Sequence, residues 1–200
     1  MIGAAVPDVT AFILAGGKST RMGRDKAFVE FEGQTLLART LDLVRSAALD
    51  VRIVGDAKKF ASFASVVEDI FHDRGPLGGI HAALGASPTD LNLMLAVDMP
   101  FVSSAFLKYL IGYARTALGA AVIVPRTGER WQPLCAIYRR EFADAAETAL
   151  LAGQNKIDLL FAATKSQVIE EEELQRHGFS RDIFRNLNTP EELEAGQRSS

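Results

Sequence analysis

Short apolar runs alternate along the chain with segments whose apolar residues recur at helical spacing. The run at 9–14 predicts a buried first strand, and the uninterrupted run at 91–97 predicts a strand covered on both faces. Residues 34–48 predict a helix, because Leu37 and Leu41 fall on one of its faces. This order of signals indicates an α/β sandwich with a mainly parallel sheet.

The remaining predicted elements continue the alternation. Further strands are predicted at 51–54, 65–68, 121–124 and 133–138. Further helices are predicted at 80–86, 141–151 and 156–162. Two more are predicted from their N-caps, one after Ser103 or Ser104 and one after Thr189 in the segment 188–192. In such folds ligands bind beyond the carboxyl ends of the strands, so the residues that follow strands are candidates for one crevice.

The segment at 14–26, LAGGKSTRMGRDK, follows the first strand and has the composition of a phosphate-binding loop. Gly16 and Gly17 allow a sharp turn that brings backbone N–H groups close to an anion. The charge that backbone dipoles cannot supply comes from Lys18, Arg21, Arg24 and Lys26. The alternative is an ordinary glycine turn with solvated basic residues. A Walker A motif is excluded, because Phe12 stands where that motif requires glycine.

Carboxylates follow two of the predicted strands. Asp98 comes directly after the run at 91–97, where it can reach a metal bound to phosphates; a turn or capping aspartate is the alternative. Asp69 precedes GPLGG at 75–79, where Gly78 and Gly79 would let backbone approach a base or ribose. For this second segment alone, a simple Pro-Gly turn is favoured.

Three later features have more ordinary interpretations. Trp131 suits stacking on a flat heterocycle, although a core or edge position is the more common one for tryptophan. Cys135 is interpreted as a small buried residue rather than a nucleophile. Residues 170–173, all glutamate, are interpreted as a solvated face.

Composition narrows the function classes. A net charge of −3, from 22 basic and 25 acidic residues, indicates no general nucleic-acid surface. The first apolar stretch lacks a basic lead-in and is too short for a signal sequence or membrane span, so a cytoplasmic protein without a membrane partner is expected. One cysteine and three scattered histidines give no zinc-ligand spacing, which leaves a hard metal held by carboxylates.

The motifs at 14–26, 68–69, 75–79 and 97–100 together resemble those of the molybdenum cofactor guanylyltransferases, within the nucleotidyltransferase superfamily. The later segments QPL at 132–134 and NLNTPEE at 186–192 extend the resemblance over nearly the whole chain. The resemblance implies one Rossmann-like three-layer α/β domain over 1–200, with a nucleotide-binding half at about 1–100 and an acceptor-binding half at about 101–195. It also implies transfer of GMP from GTP to molybdopterin, with release of pyrophosphate and Mg²⁺ as cofactor.

The resemblance further assigns residues to roles. The catalytic residues it implies are Lys26, Arg21 and Asp98, and Asp98 is the metal ligand. The nucleotide-binding residues are Leu14, Ala15, Gly16, Gly17, Lys26, Asp69, Gly78, Gly79 and Asp98. The acceptor-binding residues are Trp131, Gln132 and Asn188. Expected partners are GTP, molybdopterin or the molybdenum cofactor, and cofactor-synthesis proteins or molybdoenzyme chaperones.

The sequence indicates the nucleotide donor more clearly than the acceptor. Relatives that transfer CMP tend to have LAAG where this chain has LAGG, so Gly16 favours GTP over CTP. Two positions depart from the family pattern: Gly55 replaces an asparagine, and QNK at 154–156 replaces a more arginine-rich segment. A CTP-dependent pterin cytidylyltransferase, a sugar- or polyol-phosphate nucleotidyltransferase, and a non-catalytic nucleotide-binding module remain as alternatives.

Overall fold

The computed structural model describes residues 8–16, 25–187 and 192. Its strands are β1 (Val9–Leu14), β2 (Glu30–Phe31), β3 (Gln34–Thr35), β4 (Asp50–Val54), β5 (Ser65–Val67), β6 (Leu91–Ala96), β7 (Val122–Thr127), β8 (Arg130–Trp131), β9 (Cys135–Arg139) and β10 (Ser166–Ile169). Its α-helices are α1 (Leu36–Arg45), α2 (Ala57–Phe60), α3 (Pro76–Ala86), α4 (Ser104–Thr116), α5 (Phe142–Leu151), α6 (Asp158–Ala163) and α7 (Glu171–Arg176). Short 3-10 turns occupy Lys26–Phe28 and Arg181–Phe184.

One large sheet organises the described chain. Its strand order is β10-β7-β9-β6-β1-β4-β5, with β8 paired to β7. The ladders β1–β4, β1–β6, β4–β5 and β7–β10 are parallel, whereas β9 runs antiparallel between β6 and β7. The expectation of a mainly parallel sheet is therefore confirmed.

Helices cover both faces of this sheet, which gives the expected three layers. On β1, Ala11 and Ile13 enter the core shared with α1 and α4, while Phe12 enters the core shared with α3, α5 and α6. This alternation follows from the two-residue period of a strand. β6 is buried along its whole length, as the unbroken apolar run predicts for a central strand.

The predicted elements are confirmed in kind, with boundaries that shift for local reasons. α1 starts at Leu36 rather than at residue 34, because β2 and β3 form a hairpin whose turn has positive φ at Glu32 and Gly33. α3 starts four residues earlier than predicted, at Pro76, since proline at the first helical position lacks only an N–H that needs no helical partner.

The apolar pattern did not predict several other elements, because they are short. α2, β8 and β10 have no more than four residues each, and α7 has six, too few for an apolar period to show. The helix start expected at 188–192 lies outside the described residues apart from Glu192. Within the described ranges, no helix combines the length and apolar character needed to cross a membrane.

The cap of α4 provides a direct test of the fold. The Ser103 hydroxyl accepts a hydrogen bond from the Phe106 N–H at 3.2 Å, so Ser103 rather than Ser104 is the N-cap. We expect Ser103→Ala to lower the free energy of unfolding by about 1 kcal/mol, because it leaves a helical N–H without this acceptor. Ser104→Ala is the matched control and should be nearly neutral in urea denaturation. Equal losses in the two variants would contradict the cap assignment.

Candidate active site

The carboxyl ends of three neighbouring strands form the floor of the site. Beyond β1, the N–H groups of Ala15 and Gly16 both donate to the Val54 carbonyl at the end of β4, at 3.0 and 3.1 Å. On the other side, the Val97 N–H donates to the Leu14 carbonyl at 3.2 Å. These bonds extend the parallel ladders past the strands. They place Gly16 and Asp98 at one edge of the sheet, while Gly17 and Arg21 lie outside the described residues.

Lys26 and Asp98 form an ion pair at this edge. The Lys26 ammonium donates to Asp98 Oδ2 at 2.9 Å, and the two side chains are 23% and 15% exposed. The turn that carries Lys26 is capped by Asp25, whose carboxylate accepts from the Ala27 N–H and pairs with Lys59 at 2.7 Å. This hydrogen bond to Asp25 raises the pKa of Lys59. The lysine that the sequence assigns to phosphates is thus held at the carboxylate assigned to metal.

The donor chemistry at Asp98 fits a hard divalent metal that shares its ligands with a substrate. Among residues 8–16, 25–187 and 192, no group of three or more His, Cys, Asp or Glu could hold a metal by itself. Mg²⁺ is commonly bound through one or two carboxylates, with phosphates and waters completing its shell. Asp98, a single carboxylate at the carboxyl ends of the central strands, meets that description.

Asp69 lies against the first turn of α3. Its Oδ1 accepts a hydrogen bond from the Phe71 N–H at 2.9 Å. A Cβ placed on Gly78 would fall 2.8 Å from both Asp69 carboxylate oxygens, so only glycine admits this approach. Burial raises the pKa of the Asp69 carboxyl, an effect opposed by the Phe71 hydrogen bond and by the nearby imidazoles of His72 and His81.

At two further glycines, a side chain of the protein lies close to the position that an added Cβ would take. Gly79 is buried, and a Cβ there would lie 3.2 Å from Val54 Cγ1. At Gly55, a Cβ would fall 2.8 Å from the buried ring of Phe60, which explains why this chain has no asparagine there. The phenyl ring fills the space into which a side chain at this position would extend.

A polar cleft of about 440 Å³ opens next to Met99, the residue that follows Asp98 in the chain. Such a volume is in the range of small-molecule sites. One wall comes from the β7–β8 hairpin and the loop after it, with Thr127, Arg130, Trp131 and Gln132. The opposite wall comes from the C-terminal segment, which is anchored at the site because the Leu187 N–H donates to the Asp98 carbonyl at 2.9 Å.

The structure brings together two of the three predicted acceptor residues. Trp131 and Gln132 both line the cleft, and the Gln132 amide donates to the Thr127 hydroxyl at 3.1 Å. Asn188 lies outside the described residues. Cys135 is fully buried, and this burial raises the pKa of its thiol, in agreement with a structural residue.

Several cleft residues were missed from the sequence. Arg181 and Arg185 belong to the C-terminal wall, together with Asn186. A usable signal was present, since both arginines lie within a few residues of the NLNTPEE motif. The residues at 170–173 are half-buried or exposed, and two of them also make contacts that the sequence did not indicate: Glu170 pairs with Arg126, and Glu171 accepts from the Gly128 N–H.

A layered α/β sheet with a lysine–carboxylate pair beyond its central parallel strands, and a polar cleft beside that pair, is the architecture of a nucleotidyltransferase. The chain belongs to the family described as the MobA-like NTP transferase domain, whose model matches residues 11–168.

Individual relatives agree with this placement over nearly the whole chain. A Clostridium perfringens protein named probable molybdenum cofactor guanylyltransferase is 33% identical, over 92% of this chain and 94% of its own length. A Desulfosudis oleivorans molybdenum cofactor guanylyltransferase is 34% identical, with 94% of each chain covered. The crystal structure of molybdopterin-guanine dinucleotide biosynthesis protein A from Archaeoglobus fulgidus superposes with a TM-score of 0.84 at 28% identity, covering 95% of this chain and 97% of its own.

The contact between Gly78 and Asp69 predicts opposite effects on stability for two glycine-to-alanine variants in α3. Gly78→Ala should destabilise the protein by about 1–3 kcal/mol, because its methyl group must displace the Asp69 carboxylate. Gly85→Ala lies in the same helix with no described atom within 4 Å of its new Cβ, and should stabilise it by about 0.5–1 kcal/mol. Thermal and urea unfolding measure both. A gain in stability for Gly78→Ala would contradict the observed packing.

Proposed function

We propose that the protein is a molybdenum cofactor guanylyltransferase, which transfers GMP from GTP to molybdopterin and releases pyrophosphate. The observation that carries the proposal is the Lys26–Asp98 pair at the carboxyl ends of the central strands, with a polar cleft that borders the next residue, Met99. Relatives with this named activity share about a third of their residues with the chain, which adds support.

In this proposal the two sides of Asp98 receive the two substrates. GTP lies along the β1 edge, against Leu14, Ala15, Gly16 and Gly17, with Asp69, Gly78 and Gly79 as further nucleotide-side residues. The acceptor occupies the cleft against Trp131, Gln132 and Asn188. The nucleotide half then corresponds to about 1–100 and the acceptor half to about 101–195.

The reaction is an in-line attack by a phosphate oxygen of the acceptor on the α-phosphorus of GTP. A terminal phosphate has a second pKa of about 6, so it is already largely ionised near pH 7 and needs no general base. The requirement is to offset repulsion between two anions and to stabilise the departing pyrophosphate. Lys26, together with Arg21, supplies positive charge at this edge.

Asp98 serves as the metal ligand in the proposed site. Enzymes of this family generally use a divalent metal. We infer Mg²⁺, which when bound neutralises phosphate charge and aligns the reacting oxygens. In the proposed site Asp98 would hold the metal, and Lys26, which contacts Asp98 at 2.9 Å, would offset phosphate charge beside it.

The preference for GTP rests on Gly16. This residue is exposed, and a Cβ placed on it would meet its nearest described atoms, Val54 O and Gly55 Cα, at an ordinary 3.8 and 3.9 Å. Packing against the part of the chain that the structure describes therefore does not demand glycine at this position. A methyl group there would instead project toward the space we assign to the base, which is how Gly16→Ala could change the choice of donor.

A thermal-shift panel tests the donor. GTP with Mg²⁺ should stabilise the wild type selectively over CTP, ATP and UTP, by about 2.7 kcal/mol at a hundredfold excess over Kd. Gly16→Ala should melt like the wild type without ligand but lose much of its selectivity for GTP. A wild-type preference for CTP or UTP would overturn the guanylyl assignment, and no response to any nucleotide would overturn the nucleotidyltransferase itself.

Removal of either member of the ion pair tests the chemistry. Lys26→Met and Asp98→Asn should each lower kcat/KM by about 10²–10³-fold, because a charge that acts on the transition state is lost. The controls are Lys165→Met, in the turn before β10, and Asp90→Asn, an ion-paired aspartate preceding β6. Both lie at the opposite edge of the sheet and should be nearly neutral. Near-normal turnover of Asp98→Asn would contradict the metal assignment.

A further inference from the structure

We propose that Arg126 and Glu170 form a positioning pair that fixes the indole of Trp131 in the wall of the acceptor cleft. This inference rests on the proposed function for the identity of the acceptor, but its geometric content concerns the protein alone. Neither Arg126 nor Glu170 lies in a motif that pointed to the site.

The pair is a two-point contact. Arg126 Nη2 lies 2.6 Å from Glu170 Oε1, and Arg126 Nε lies 3.0 Å from Glu170 Oε2. Parallel N–H···O bonds of this kind fix the orientation of the guanidinium plane as well as its position. A lysine at position 126 would carry the same charge but could not make the two parallel hydrogen bonds.

The fixed guanidinium in turn contacts Trp131. Arg126 and Trp131 are opposite one another in the β7–β8 register, which puts their side chains on the same face of the hairpin. The guanidinium carbon lies 5.0 Å from the centre of the indole, within the range of a cation–π contact. Phe161 of α6 lies at the same centroid distance, 5.0 Å, from Trp131. The indole is therefore held by two neighbours before any ligand arrives.

A second contact ties the same hairpin to α7. The Gly128 N–H, in the turn between β7 and β8, donates to Glu171 Oε2 at 2.8 Å. Adjacent residues 170 and 171 thus hold both the base and the tip of the hairpin. The chain continues from α7 into the segment with Arg181 and Arg185, which forms the opposite wall. The start of α7 consequently links the two walls of the cleft.

The solvent exposure of the Arg126–Glu170 pair indicates a role in positioning Trp131 rather than in stability. The Arg126 and Glu170 side chains are 36% and 44% exposed, and exposed ion pairs contribute little to folding. Loss of the pair should leave the fold intact and release the indole. A pre-oriented aromatic wall favours a flat, conjugated acceptor, because less side-chain motion must be arrested on binding. The predicted defect is therefore in acceptor affinity and not in nucleotide binding.

The chain contains one tryptophan, so its intrinsic fluorescence reports on Trp131 directly. The variants are Arg126→Met and Glu170→Gln, their double variant, and the conservative Arg126→Lys. The control is Arg176→Met, which breaks the Arg176–Glu173 pair on α7 away from the hairpin. In the ligand-free protein, acrylamide quenching of Trp131 should rise about twofold in both single variants. The double variant should be no worse than either, and Arg126→Lys should be intermediate.

Steady-state kinetics provide the second measurement, with molybdopterin released anaerobically from a denatured molybdoenzyme as the acceptor. KM for this acceptor should rise about fivefold in Arg126→Met, because the released indole must be ordered again when the acceptor binds. The KM for GTP, kcat and the melting temperature should stay at wild-type values, as they should in Arg176→Met.

The outcomes separate the two proposals. Unchanged quenching in Arg126→Met and Glu170→Gln, or equal quenching changes in Arg176→Met, would overturn the positioning pair. A parallel loss of GTP-induced stabilisation would also overturn it, because the effect would then not be confined to the cleft wall. Failure of the wild type to guanylylate molybdopterin would overturn the proposed function instead, and the quenching comparison would still decide whether the pair fixes Trp131.

Discussion

β1 forms parallel ladders with β4 on one side and β6 on the other, and Leu14 is in register with Val54 and Ala96. Because the three strands end at the same level, the residues that follow them emerge side by side. The hydrogen bonds of the Ala15, Gly16 and Val97 N–H groups to neighbouring carbonyls carry this alignment beyond the strands. Every later feature of the site, from the Lys26–Asp98 pair to the cleft beside it, depends on this shared register.

Sequence patterns predicted the parts of the molecule that are encoded locally. A buried apolar run that ends in a carboxylate identified both β6 and Asp98, and the fold class followed from the order of such runs. Contacts between distant segments left no pattern. The Lys26–Asp98 pair spans 72 residues and the Arg126–Glu170 pair spans 44, and nothing in either member indicates its partner. The partner of Glu170 could not be predicted for this reason, since four consecutive glutamates look the same whether or not one is paired.

Glycines at this edge of the sheet serve two different purposes, which their spacing in the sequence does not distinguish. Gly78 and Gly55 are required by the protein itself, because Asp69 and Phe60 occupy the space that a side chain would need. Gly16 is under no such internal constraint among the described atoms. The sequence suggested that Gly78 lets backbone approach a base or ribose, and the structure adds that the Asp69 carboxylate occupies the space of its absent side chain. Only the atoms around each glycine show whether the position is required for packing or is left open to a ligand.

The hydrogen bond from the Leu187 N–H to the Asp98 carbonyl has a consequence for biosynthesis. A ribosome makes β1, β4 and β6 before it makes the segment at 181–187, which borders the cleft and contacts Asp98. The nascent protein can therefore assemble its central ladder while one wall of the cleft is still missing. The cleft is therefore completed only after the central ladder, when this later segment can reach back to the strand that Asp98 follows.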